Sequence, residues 1–267
     1  MRQAILKAWL FPDRVLGYLL LRAQQRVTLG TDSFGCVHAV LYFGIDYWRR
    51  YACVAQRIRR LDGIGTVLDV GGSGGAVREF LDASHYSLCV LDISMHALRS
   101  SRDHRLALVC GDGCCLPFGD DTFDVVVSVD SLEHVADSRK AIYCHELKRV
   151  ARRYVIIHCP ADSYDGQFQG TACDVKFLEW HRRRFKKDEP NTLQHLNSGL
   201  PKVDELLRLF PEAQIMGRQN TDVWFKYMTV GRMPYIRFFT GLLYKVLWQR
   251  KDDVPPYHAC LLVWEKR

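Results

Sequence analysis

The sequence predicts an α/β protein built on a doubly wound parallel sheet. Three observations carry the prediction. Between residues 65 and 160 short apolar runs alternate with longer amphipathic ones. The first run opens into a glycine-dense loop, Val67-Leu68-Asp69-Val70-Gly71-Gly72-Ser73-Gly74-Gly75. An aspartate then stands at or just past the end of each of the next two runs. Continuous apolar runs of this length are how strands read when helices cover both faces of a sheet.

Taken in order, residues 1–60 read as a helical, aromatic extension, with Tyr42, Phe43, Tyr47, Trp48 and Tyr51 ahead of Arg57, Arg59 and Arg60. Residues 61–267 read as one domain. Strands are expected at 66–70, 86–92, 106–110, 123–129 and 154–158, and helices at 76–81, 95–102 and 139–150, the last with Ile142, Tyr143, Leu147 and Val150 at helical spacing. The polar and charged stretch of about 161–205 reads as an inserted lid, followed by a helix at 203–210. Two closing strands, 213–217 and 259–264, flank an apolar helix in which Tyr235, Phe238, Phe239, Leu242, Leu243, Val246 and Leu247 repeat at i, i+3, i+4 and i+7. Such a stripe reads first as a helix packed on the sheet. The sharper reading, supported by the similar segment 9–22, is a helix lying in a membrane interface.

Composition sets bounds. With 48% hydrophobic and 25% charged residues, the chain is neither disordered nor fibrous, and a net charge of +7 permits an anionic partner without selecting one. The ten cysteines show no C-x-x-C pair and no matching histidine spacing, which implies a reducing compartment and no structural metal. Pro12, Asp13 and Arg14 interrupt the apolar stretch near the N-terminus and no small-residue cleavage site follows, which argues against a signal peptide. The apolar segment 15–21 is far below the roughly 20 residues that span a bilayer. The expected location is cytoplasmic, with peripheral contact at the inner face of a membrane as an extension of that reading.

A strand that ends in glycines and opens into a helix lets backbone approach a ligand and aims N–H groups at it. A dinucleotide fingerprint fits poorly, because reading it from Gly72 and Gly74 puts Val77 where the helix must pack closely. S-adenosylmethionine has no pyrophosphate, and an acid such as Asp69 beside the loop suits its cationic amine. Asp92 is placed to accept both ribose hydroxyls, and Asp112 to accept from the adenine amino group. Any one of these aspartates could be a turn residue or a cap. Three at successive strand ends, with the loop, favour a cofactor.

These residues, with Leu91-Asp92-Ile93-Ser94, Gly111-Asp112 before Leu116-Pro117-Phe118, Asp121-Thr122-Phe123-Asp124-Val125-Val126, Ser131-Leu132-Glu133-His134 and Glu146-Leu147-Lys148-Arg149-Val150, resemble the class I S-adenosylmethionine-dependent methyltransferases of the type 11 group over about residues 65–160. The resemblance implies a Rossmann-like sheet of seven strands with the last antiparallel. It implies transfer of a methyl group from S-adenosyl-L-methionine, held by Asp69, Gly71, Ser73 and Gly75 at the methionyl part, Asp92 and Ile93 at the ribose, and Asp112 with Gly113 at the adenine. Two positions depart from the pattern: Ser73 replaces its middle glycine, and Ala151-Arg152-Arg153 replaces the glycine pair before the fifth strand.

Methyl transfer needs a positioned nucleophile, and a base only when that nucleophile must lose a proton. His134, just after the fourth strand, and His158, ending the fifth, are the candidate bases. Each could equally be a structural histidine, hydrogen-bonded to backbone or satisfied in the core. Asp130 and Glu133 are candidate acceptor contacts, and His181 and His195 are secondary ones in the insertion. The expected acceptor is a small or lipid-linked molecule. RNA methylation, suggested by arginine-rich segments without a recognisable RNA-binding module, and an inactive cofactor-binding scaffold, suggested by Ser73, are the alternatives.

Overall fold

The computed structural model describes residues 44–82, 84–101, 103, 105–232 and 240–267. Seven strands, β1 (Thr66–Val70), β2 (Ser87–Asp92), β3 (Ala107–Cys110), β4 (Phe123–Val129), β5 (Ala151–Pro160), β6 (Gln214–Asn220) and β7 (Tyr257–Glu265), form one sheet in the order β3-β2-β1-β4-β5-β7-β6. Neighbours from β3 to β5 are parallel, and β7 is antiparallel to both β5 and β6. The strand order reverses between β1 and β4, and the crevice beyond the carboxyl ends of strands at such a point is where open α/β sheets bind ligands.

Strand alternation divides the core in two. Val67, Val125, Val127, Ile156 and Leu261 point to one face, while Leu68, Val126, Val155, Ile157 and Leu262 point to the other. The first face is covered by α1 (Ile45–Ile58), which buries Trp48, Ala52, Val54, Ala55 and Ile58. It also takes Phe177 of α4 (Gly170–Phe185) and Trp224 of α7 (Thr221–Val230). The second takes Tyr143, Leu147 and Val150 of α3 (Lys140–Val150) and Leu206 of α6 (Val203–Leu209). Residues 45–58 of the expected extension therefore pack into the sheet's own core, and residues 1–43 lie outside the described residues, as do Tyr235, Phe238 and Phe239.

Two predicted helices come out shorter. Residues 76–81 form a 3-10 helix over Ala76–Phe80, confined between left-handed Gly75 and extended Leu81. Helix α2 covers only Met95–Leu98. Ser94 caps it through Ala97 N at 3.2 Å, and Ser100 Oγ returns to Ala97 O at 2.6 Å, so local side-chain bonds end it within a turn. The expected insertion resolves into α4 and α5 (Pro190–Ser198), the latter started by Glu189, whose carboxylate accepts from Thr192 N at 2.8 Å, and by Pro190 in its first turn. The apolar stretch before β7 contains α8 (Thr240–Leu243), in which Val246 and Leu247 further on are exposed and Tyr244 is buried, bonded to Asp252 at 2.6 Å.

Several quoted motifs hold the frame together. Asp124 accepts from the N–H groups of Gly65 and Thr66 and from Thr66 Oγ1, and pairs with Arg152 at 2.8 Å, so Arg152 has a structural use where a glycine was expected. Glu146 accepts Leu116 N at 2.7 Å while Arg149 donates to Leu116 O and Phe118 O, which clamps the loop after β3 onto α3.

Candidate active site

The loop after β1 needs its glycines for two separate reasons. Gly71 and Gly75 adopt φ of 76° and 87°, where a side chain is strained. A Cβ at Gly71 would meet Ser131 Oγ at 2.1 Å, and one at Gly72 would meet Asp69 Oδ2 at 2.3 Å. Ser73 also sits in the left-handed region, at φ 50°, and gives its N–H to Asp92 Oδ2 at 2.9 Å. The departure from glycine thus falls on a residue forced into a glycine-like conformation. Asp69 lies beneath the loop, fully buried, with neither carboxylate oxygen hydrogen-bonded. Burial, reinforced by the charge of Asp92, pushes its carboxyl up from 3.8 to about 7.

Asp92 closes β2 with one oxygen on Ser73 N and the other on Ser94 N at 2.8 Å, and each oxygen keeps a lone pair for a hydroxyl. Ile93 beside it is 74% exposed, an apolar side chain presented to the cavity rather than to the core. Asp112 accepts Cys114 N and pairs with Arg139 at 2.7 Å, and these two contacts hold it below the ordinary carboxylate range. Gly113 lets the chain pass Tyr143, whose ring a Cβ would meet at 2.3 Å. Tyr143 is itself fixed by Ser128 at 2.8 Å.

At the other end of the same crevice a polar chain crosses from α1 to the sheet. Arg50 pairs with Asp130 at 2.5 Å and with Asp46 at 3.0 Å, Asp130 pairs with His158 Nδ1 at 2.7 Å, and Asp46 accepts from Gln219 and Trp224 at 3.2 Å each. Burial raises the Asp130 carboxyl, but Arg50 and His158 outweigh it and hold the group well below its usual range. Asp130 is thus an anion committed to two partners, and His158 stands behind it, 1% exposed.

Glu133 is fully buried with both oxygens unbonded, and burial together with Asp130 raises its carboxyl well above the usual range. His134 faces the cavity, and burial and the neighbouring His195 hold its imidazole below the usual range. His195 on α5 approaches Glu133 at 3.9 Å and bonds Asp174 at 3.0 Å.

A cavity of about 1600 Å³ runs across these parts. Of the residues singled out from sequence, Gly71, Ser73, Asp92, Ile93, Asp112, Gly113, Asp130 and His134 line it. Asp69, Gly75, Glu133, His158 and His195 stand behind the lining. His181 belongs elsewhere: it is buried against Phe177 and Phe185, with Nδ1 on Lys187 O at 2.9 Å, because the end of α4 closes over an aromatic cluster. Sequence reasoning missed Arg50, Glu79, Arg139, Asn191 and Gln194 in the lining. Tyr47, Arg50 and Tyr51 sit at helical i, i+3, i+4 spacing, a signal that they share one face. Nothing in the sequence says that this face meets the sheet's carboxyl end.

Residues 68–158 match the family described as a methyltransferase domain. The chain is 32% identical over 124 residues to a demethylmenaquinone methyltransferase of Corynebacterium urealyticum and 36% identical over 121 residues to one of Mycobacterium marinum. In each case 45% of this chain is matched, and the chain spans about half the length of these curated relatives, 50%.

Among solved structures, a Haemonchus contortus phosphoethanolamine N-methyltransferase 2 in complex with phosphomonomethylethanolamine and S-adenosylhomocysteine is similar at TM-score 0.51 and 16% identity, over 88% of this chain and 57% of that one. A protein of Anabaena variabilis described as a methyltransferase from an antibiotic biosynthesis pathway is similar at TM-score 0.53 and 14% identity, over 79% and 96%. Residues 68–158 thus resemble a methyltransferase domain, and the seven-stranded sheet that carries them has the fold of these two solved structures.

The residues present fit S-adenosylmethionine as a cofactor. The unbonded carboxylate of Asp69 beneath the loop suits a nearby cationic amine, the spare lone pairs of Asp92 suit a diol, and Gly71 and Gly113 bring bare backbone to the cavity wall.

Proposed function

We propose that the chain is an S-adenosylmethionine-dependent methyltransferase acting on a small-molecule or lipid-linked acceptor. The observation that carries this reading is one continuous cavity with two unlike ends. Asp92, Ile93 and Asp112 line the end formed by β2 and β3, and Tyr47, Arg50, Asp130, His134, Asn191 and Gln194 line the other. Bound there, S-adenosylmethionine would supply an electrophilic methyl group. Asp92 and Asp112 would hold it, with the charge of Asp69 acting from beneath the loop, while α1 and α5 would position the acceptor and exclude water.

A lipid-linked acceptor is supported by the aromatic rings of Tyr47 and Tyr51 at that end and by the two relatives whose names specify demethylmenaquinone. Val246 and Leu247 stand exposed beside Lys245, Arg250 and Lys251, a combination that adsorbs to anionic lipid, and we include peripheral membrane contact in the proposal. The arginine-rich run has another use: Arg182, Arg183 and Arg184 close α4, where cations complement the helix dipole, and Arg182 pairs with Asp188 while Arg183 pairs with Glu179.

Incubating the protein with methyl-labelled cofactor and a membrane-lipid, a small-metabolite or an RNA extract tests the reading. Label in the lipid or small-metabolite fraction supports it. Label in RNA, or in none of the three fractions, contradicts it.

A further inference from the structure

Glu133, His134 and His195 form a cluster with features that methyl transfer alone does not explain. Glu133 and His134 are adjacent on the 3-10 turn Leu132–His134 after β4, which sends one side chain inward and the next to the cavity. His195 arrives from α5. One ligand atom from each of the three lies within 4.8 Å of the others, with His195 Nε2 at 3.9 Å from Glu133 Oε1. The two imidazoles meet at 57° with centroids 4.8 Å apart, so they are tilted toward each other instead of stacked.

Two further observations point to a ligand for this cluster. Glu133 is fully buried and neither of its oxygens has a hydrogen-bond partner, and a buried polar group left unmatched is costly. His195 is held from behind by Asp174, which is 1% exposed and accepts from His195 Nδ1 at 3.0 Å with one oxygen and contacts His258 Nε2 at 3.0 Å with the other. A carboxylate on Nδ1 fixes the proton there and leaves the Nε2 lone pair facing Glu133. This is the outer-shell arrangement that orients metal-binding histidines. Neighbouring ligands of a small divalent ion stand about 3–3.5 Å apart, from bonds of about 2.0–2.2 Å. The observed separations close onto an ion with side-chain shifts of about 1 Å.

We propose that Glu133, His134 and His195 bind a divalent cation at the acceptor end of the cavity, and that a hydroxyl oxygen of the acceptor completes its coordination. Two imidazoles and one carboxylate suit Zn²⁺, Mn²⁺ or Fe²⁺. The second half of the proposal rests on the methyltransferase reading, while the first stands without it. A hydroxyl on a divalent ion loses its proton far more readily than in water. The proton leaves to solvent through the cavity, the oxygen forms the O–CH3 bond, the S–CH3 bond breaks, and its electron pair stays on sulfur. The cation is unchanged. His134 is then a ligand instead of a base, and O-methylation is the class of reaction selected.

Equilibrium dialysis of the full chain against Zn²⁺ and Mn²⁺, paired with calorimetric titration of S-adenosylhomocysteine on the same samples, tests the site. One ion per wild-type chain is expected. Binding should weaken at least tenfold in Glu133→Gln and in His134→Ala, stay unchanged in the exposed-residue control His145→Ala, and leave S-adenosylhomocysteine affinity within about twofold throughout. Glu133→Gln keeps the shape of a buried side chain and His134→Ala changes a partly exposed one, so at least one folded variant can be read. No ion bound by wild type, or equal binding in the folded variants, overturns the proposal. An ion bound without any S-adenosylhomocysteine leaves the cation site standing and contradicts the methyltransferase reading instead.

Discussion

Arg50 on α1 and Asp130 just past the end of β4 stand 2.5 Å apart, and through them the helix that lines the cavity with Tyr47, Arg50 and Tyr51 is tied to the sheet. Arg50 also holds Asp46, which Gln219 and Trp224 hold in turn, so the pair is the centre of a network spanning α1, β4, β5, β6 and α7.

Arg50→Ala is therefore expected to cost about 3 kcal/mol of folding stability, since it leaves Asp130 and Asp46 as largely buried anions without their cation. Urea unfolding of variant and wild type reads this directly. A change under about 0.5 kcal/mol would show that water replaces the guanidinium freely and that α1 is not anchored by it.

Ser73 lies at φ 50°, a conformation that costs a residue with a side chain about 1–2 kcal/mol. Glycine relieves that strain but gains about 0.5–1 kcal/mol of unfolded-state entropy. Ser73→Gly should therefore stabilise the chain by up to about 1 kcal/mol. S-adenosylhomocysteine affinity should hold or tighten, because the N–H bond to Asp92 needs only backbone. Weaker binding by the glycine variant would show that the serine side chain is used.

The buried Asp69 gives a pH signature. Its carboxyl titrates near 3.8 when exposed and at about 7 in the fold, so between those values the folded state holds a proton that the unfolded state has lost. Its effect on stability is favourable below about pH 4, declines as pH rises through about 7, and then levels off. The span is on the order of 4 kcal/mol at about 1.4 kcal/mol per pH unit. Asp69→Asn should flatten that part of the stability curve and raise stability at pH 8. Parallel curves for the two proteins would place the Asp69 carboxylate in contact with water.

Sequence reasoning reached the sheet because the signals that build it are local. Apolar runs such as 123–129 and 66–70 become strands wherever helices can cover both faces, and all seven expected strands are present. Gly71, Asp92 and Asp112 were legible as a group for the same reason, since strand ends and turns bring them to one cavity wall. The opposite wall was not. Arg50 lies 80 residues from Asp130, and Glu133 and His134 lie about 60 from His195, so only the packing of α1 and α5 joins them. His181 and His195, alike in sequence context, part company because one faces an aromatic cluster and the other faces Asp174.

The central claim is that the ends of β1, β2 and β3 bind the methyl donor. Calorimetric titration of S-adenosylhomocysteine into wild type and Asp92→Ala, with thermal unfolding as the check that both are folded, tests it most directly. One-to-one binding by wild type, weakened at least tenfold by the substitution, is the predicted result, and no binding by wild type or equal binding by both contradicts it.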